Sequence, residues 1–215
     1  MPINAHQEKM RKAKQAMKMG TDLRHNTGFQ APKGRFSLEM RDACSGDVLV
    51  SWEKDNVITN DGGILAAILF QGRGGPSRGL SMLAVGTGAK GSLLNPDAAD
   101  PKQRRLEAEI ARKTFASVVF RNAEGGASSV PTNVVDFTTT FGEAEAVGPL
   151  NEMGLVSPIS DNAEVTSTDG LTTSLDAYDP TFDVSDKDIM VNYCTFPVVS
   201  KPSTAILTIT WRLSF

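Results

Sequence analysis

The chain has 215 residues, 40% of them hydrophobic and 22% charged, with a net charge of −3, enough for one substantial domain and an appendage. It lacks the run of about 18 apolar residues that a membrane-spanning helix needs, and its Lys- and Arg-rich start lacks the apolar stretch of a secretion signal. The charge is divided, +6 over residues 1–35 and −9 over the rest, which predicts a basic arm that seeks an acidic surface or a polyanion.

The arm opens with a helix signal over about residues 5–19. Asn4 is an N-cap with Gln7 at capping-box spacing, good helix formers run from Glu8 to Met19, and Gly20 is a stop. Met10, Ala13 and Met17 recur at helical spacing among Lys9, Arg11, Lys12, Lys14 and Lys18, a narrow apolar stripe in a basic face. Three turns are marginal alone, so a neighbour is expected to order them. Thr21 to Gly34, including Arg24, has the Gly, Pro and polar content of an extended linker. The arm is therefore taken as residues 1–35 and the body as 36–215.

From Phe36 the period changes to two. Phe36, Leu38 and Met40 alternate with Ser37, Glu39 and Arg41, and a turn at Ser45, Gly46 and Asp47 leads into VLVSWEKDNV, so 35–57 reads as a hairpin. Gly62 and Gly63 enter the apolar run 64–70, whose central Ala-Ala favours a short buried helix. LSMLAVG reads as a strand closing on a Gly-rich turn. Asn95 to Arg112 reads as a Pro-containing loop followed by a short helix. KTFASVVFR and NVVDFTTTF read as antiparallel strands across a Gly/Ser/Pro loop, and LNEMGLV as a further strand. Residues 157–186 are a long polar excursion of the kind that makes contacts. DIMVNYCTF and STAILTITWRLSF close the chain. In the latter, Ala205, Leu207, Ile209, Trp211, Leu213 and Phe215 share one face, which predicts a half-buried strand tied down through Phe215. Six or more strands with little helix predict a mainly β body, an antiparallel β-sandwich with one or two short helices.

The residues do not assemble a catalytic pattern. GTGAKG, with Gly86 and Gly88, fits G-x-G-x-x-G, but prolines follow where a dinucleotide site needs a helix, so a tight turn is the reading and no cofactor is expected. Asp183, Asp186 and Asp188, like Asp55, Asn60 and Asp61, miss calcium-loop spacing and read as solvated loops. Glu143 and Glu145 lie in a turn-like segment and read as lacking a His or a cationic partner, so catalytic use is not expected. His6 and His25 both fall in the arm, and Cys44 and Cys194 read as ordinary reduced thiols, so no metal is expected. Trp52, Trp211 and Tyr193 fall in strands and read as core rather than as sugar platforms; Tyr178 lies in the excursion.

Five pieces in order resemble a structural family of tailed bacteriophages found among tail-fibre-associated, collar and baseplate proteins: NVITNDGGILAAILFQG, LSMLAVGTGA, LEAEIARKTF, TTTFGEAEAVGPLNEMGLV and TFPVVSKPSTAILTITWRLSF. The shared features are N-x-x-x-N-x-G before a short helix, a Gly-Thr-Gly turn, E-I-x-R-K, E-A-x-G then E-x-G-L, and an F-P-x-x-x-K hairpin closing on a Trp-bearing strand. The resemblance covers about residues 55–215, with 157–186 as an insertion. It implies a virion role in the tail, neck or baseplate region, assembly in the host cytoplasm, partners that are other virion proteins and copies of itself, and no small-molecule substrate. Two other readings stay open: a carbohydrate-binding adhesin on the same scaffold, and a DNA-contacting head-completion protein using the arm.

Overall fold

The computed structural model describes residues 32–70, 79–157 and 189–215. The arm residues Lys9, Met10, Arg11, Lys12, Ala13, Lys14, Met17, Lys18 and Arg24, the helix expected at 5–19, and most of the excursion, with Tyr178, Asp183, Asp186 and Asp188, lie outside these residues.

The body is mainly β. Ten strands are described: β1 Lys33–Asp42, β2 Val48–Ile58, β3 Met82–Gly86, β4 Glu109–Thr114, β5 Ser117–Arg121, β6 Ala127–Ser128, β7 Val134–Phe141, β8 Gly148–Ser157, β9 Ile189–Lys201 and β10 Ala205–Ser214. One helix, α1 (Asn60–Phe70), is described. All pairings are antiparallel, in one open sheet of order β4-β3-β8-β9-β2-β1-β10-β7-β5-β6. Among the described residues, the strands of its two halves pair where Val57 and Ile58 of β2 meet Tyr193 and Asn192 of β9. One hydrophobic cluster takes side chains from both halves, among them Phe36, Leu38, Leu83, Met153, Phe196 and Trp211. Phe36 lies at its centre, with ring centroids 5.2 Å from Trp52 and 5.4 Å from Trp211. No helix among the described residues is long and apolar enough to cross a membrane.

Alternation builds the six-stranded half. Phe36, Leu38 and Met40 of β1 and Ala205, Leu207, Ile209, Trp211 and Leu213 of β10 are buried, and pairs such as Leu38 with Ile209 and Phe36 with Trp211 hold the register. The β1–β2 hairpin forms as its sequence predicts. Asp42 Oδ1 accepts from the N–H groups of Cys44 and Ser45, and Gly46 takes a left-handed φ of 76°. The helix entry is capped by Thr59, whose Oγ1 accepts from Gly62 N. Leu65 packs α1 against Ile189 and Val191.

Several expectations differ from what forms. β1 begins at Lys33, paired with Ser214, inside the stretch assigned to the arm, and Ser157 belongs to β8 rather than to the excursion. KTFASVVFR is not one strand. Successive amides take different partners, Phe115 N the carbonyl of Ser81 and Ala116 N that of Thr138, so the segment splits into β4 in one half and β5 in the other. No helix forms before β4: Thr87 N bonds the Ala108 carbonyl, and a buried carboxylate takes the amides of Glu107 and Ala108. FPVVSKP is not a hairpin. β9 stays paired with β8 as far as Lys201, and the chain then crosses to β10 between β1 and β7. Finally, β10 stops at Ser214, and Phe215 is 52% exposed rather than part of the buried face.

Candidate functional site

β8 is buried on both faces from Leu150 onward, so the carboxylate of Glu152 lies inside the protein, 0% exposed. A buried carboxylate must have its lone pairs filled. Oε1 accepts from the N–H groups of Gly88 (2.9 Å) and Ala108 (2.8 Å), and Oε2 from the Glu107 N–H (3.0 Å) and the Tyr193 hydroxyl (2.9 Å). Burial, with the adjacent Glu152 charge, pushes the Tyr193 phenol far above its ordinary range and keeps it a donor. Next along β8, Asn151 Oδ1 accepts from Ala89 N.

The backbone donors to Glu152 come from the Gly-Thr-Gly turn and the segment entering β4, pressed together around one side chain. A Cβ on Gly86 would lie 2.5 Å from the Ala108 carbonyl oxygen and 2.6 Å from Glu152 Oε1. One on Gly88 would strike Ala108 N. Both glycines therefore permit close backbone approach. The loop does not open into a helix. The amides that a phosphate would need are held by Glu152 and Asn151, and a fixed negative charge occupies the place of an anion.

The β7–β8 corner is a second polar knot. Glu145 Oε2 accepts from Lys113 Nζ at 2.6 Å and from Gly142 N at 2.7 Å, while Lys201 Nζ donates to the Gly142 carbonyl at 2.8 Å. Burial pushes the Glu145 carboxyl up, but the bonds from Lys113 and Gly142 outweigh it and hold it below the usual range. Burial lowers the Lys201 ammonium, 1% exposed, against the opposing pull of Glu145 and Glu143. Ala144 and Ala146 take left-handed φ values of 58° and 50° to make the turn. Glu145 thus has a cationic partner, contrary to the sequence reading, because Lys113 and Lys201 arrive from remote strands.

On the outer side of the six-stranded half, Asp136 receives Arg212 through Nε (2.7 Å) and Nη2 (2.9 Å), and Arg121 through Nε (2.7 Å). Burial raises this carboxyl, and the two guanidinium groups bring it below its ordinary value. The pairs Thr138–Thr210 and Thr140–Thr208 join hydroxyls along the same face. A recess of about 230 Å³ lies beside the first knot, between Lys90, Asp97, Asp100, Gln103, Glu107 and Tyr193. Its polar rim is largely bonded internally: Lys90 Nζ meets Glu107 Oε1 at 2.8 Å, and Gln103 bonds Glu107 as well.

The remaining residues singled out by sequence serve the fold. Gly62 fits closely, a Cβ there lying 3.2 Å from Ile58 and Val191, whereas Gly63 faces open space. Trp211 is fully buried, and its indole N–H meets the Asn56 amide oxygen, which also accepts from Asn192 Nδ2 at 3.0 Å with the amide in its hydrogen-bonding orientation. Asp61 is not in a solvated loop; it lies in the first turn of α1, 4% exposed, with Arg104 at 2.8 Å. Cys44 is exposed, Cys194 buried, and both are free thiols. Sequence reasoning missed Glu152, Lys201, Asp136 and the Asn56–Asn192 bridge. The available signal was a charged or amide residue within an apolar run, as in LNEMGLV.

No family model matches the chain, and no curated protein matches it in sequence.

Proposed function

We propose that this chain is a non-enzymatic structural component of a tailed-phage virion, a collar, neck, baseplate or tail-fibre attachment protein. In this reading it assembles as an oligomer, its β body is a sandwich made by the two sheet halves over their common core, and its basic arm docks on neighbouring subunits. One observation carries the reading. Five polar residues of the resembling segments, Asn56, Lys113, Glu145, Glu152 and Lys201, are spent on the chain's own backbone and side chains. Glu152 of E-x-G-L gathers the Gly-Thr-Gly turn, and Glu145 of E-A-x-G bonds Lys113 of E-I-x-R-K. Lys201 of F-P-x-x-x-K holds the corner carbonyl of Gly142, and Asn56 of the N-x-x-x-N-x-G entry joins Gly34, Trp211 and Asn192. A pattern whose charged members close corners specifies a scaffold, whereas a catalytic pattern leaves groups aimed at a substrate.

Mass-spectrometric detection of the chain in purified particles, with immunogold labelling at the tail or neck, tests the assignment; absence from particles overturns it. A version without residues 1–30 is expected to leave a folded body that no longer enters particles. Normal incorporation of that version would remove the arm from the model.

A further inference from the structure

The outer face of the six-stranded half sets two arginines side by side. Antiparallel pairing places Arg35 of β1 directly opposite Arg212 of β10, and Ser37 opposite Thr210 one step along the same face. Like charges in that relation cost stability. Each arginine is held from its far side. Arg35 Nη2 meets Glu53 Oε2 at 2.9 Å, and Arg212 lies against Asp136, whose carboxylate is 2% exposed and also takes Arg121. Two long side chains on one row and two short hydroxyls on the next leave a recess of about 130 Å³, lined by Arg35, Ser37, Glu53, Asp136, Thr210 and Arg212.

The hydrogen-bonding capacity left in this recess is mostly that of donors. Asp136 Oδ1 accepts from Arg212 Nε, and Oδ2 from Arg212 Nη2 and Arg121 Nε. Among the described residues, Nη1 of Arg35, Nη1 of Arg212 and the Ser37 hydroxyl have no partner. Glu53 Oε1 remains as an acceptor at the rim. We infer that the recess binds a carboxylate carried by a small hydroxylated molecule, the chemistry of a sugar acid. A planar carboxylate matches guanidinium edges, which favour paired N–H···O bonds, and an oxyanion between the two arginines relieves their repulsion. Hydroxyls on the same ligand meet Ser37 and Glu53. The wall charges balance, Arg35, Arg121 and Arg212 against Glu53, Asp55 and Asp136, so no surplus positive field draws in a dianion or a polyanion. Two bonds to Asp136 already fix Arg212, which leaves less side-chain freedom to lose on binding. Such a site is independent of where the chain sits in a particle.

Isothermal titration of the full chain with galacturonate, galactose and acetate tests the site. Galacturonate should bind about tenfold or more tightly than either of the others, because galactose lacks the carboxylate and acetate the ring hydroxyls. Arg35→Gln should weaken galacturonate binding about tenfold. Arg212→Lys, which keeps the charge without the planar fork, should weaken it by about the same factor. The Arg35 side chain is 60% exposed, so an unchanged thermal midpoint is expected for Arg35→Gln and shows that it folds. Inorganic phosphate should not compete. The inference is overturned if galacturonate fails to bind at millimolar concentration, if galactose, acetate or phosphate binds equally well, or if folded Arg35→Gln binds galacturonate undiminished.

Discussion

Replacing Glu152 with Gln changes no volume and isolates what the buried carboxylate does. The glutamine oxygen can keep the two N–H groups of Gly88 and Ala108 that now meet Oε1. Its NH2 group then faces the Glu107 N–H and the Tyr193 hydroxyl, both donors to Oε2. Tyr193 can rotate its hydroxyl to accept, but the Glu107 amide cannot, so one buried N–H loses a charge-assisted partner and meets another donor. Hydrogen bonds to charged groups contribute about 1.5–3 kcal/mol, and an orphaned buried donor costs a further 1–3 kcal/mol or so. The variant should therefore lose about 3 kcal/mol, a large share of the stability of a domain this size. With a urea slope of about 2 kcal/mol per molar, the unfolding midpoint falls by about 1.5 M. Tyr193→Phe removes only one donor and should cost about 1 kcal/mol, and the double variant should be less than additive because the two groups are bonded. A Glu152→Gln midpoint within about 0.3 M of wild type would refute the view that this carboxylate organises the turn.

Three further perturbations follow from the geometry. Thr139 Oγ1 is buried without a hydrogen-bond partner in β7, so the near-isosteric Thr139→Val should raise stability by about 1 kcal/mol, read from the same urea curve. Ala144 holds a left-handed φ at an exposed turn position; Ala144→Gly should stabilise by about 0.5 kcal/mol and Ala144→Val should destabilise, as measured by thermal midpoints. The folded-state pKa of Asp136 lies below its unfolded value, so its contribution is complete above the unfolded pKa and disappears as pH falls through the folded one. Between pH 6 and pH 2.5 the wild type should lose more stability than Asp136→Asn; parallel pH curves would contradict the clamp by Arg212 and Arg121.

Where alternation coincided with one buried face, elements could be read from the residues. β10 and the β1–β2 hairpin emerge from simple parity, since Leu207, Ile209 and Trp211 face the core while Thr208, Thr210 and Arg212 face out. β8 and β9 bury both faces and lack that signature. Local pattern also cannot name a strand's neighbour. Phe115 and Ala116 look like the middle of one strand, yet each amide bonds to a different half of the sheet. The polar knots were invisible for the same reason. Lys113, Glu145 and Lys201 are separated by 32 and 56 positions, and the closure of a buried corner brings them together. Glycine placement is more telling: Gly86 and Gly88 mark a tight turn in the sequence itself, and the close approach of Ala108 shows why no side chain fits there.

The central place of β10 has a kinetic consequence. Among the described strands of the six-stranded half it alone pairs with both the β1–β2 hairpin and the β7–β5–β6 group. Until Ala205–Ser214 takes its place, Phe36, Leu38 and Met40 have no cross-strand partners on one side, and β7 lacks the register that Trp211 and Ile209 give it. The contacts that complete this half span about 170 positions, so loop closure comes late and slowly, as in other sheets dominated by distant pairings. The surface of this half is therefore finished only when β10 has found its place between β1 and β7.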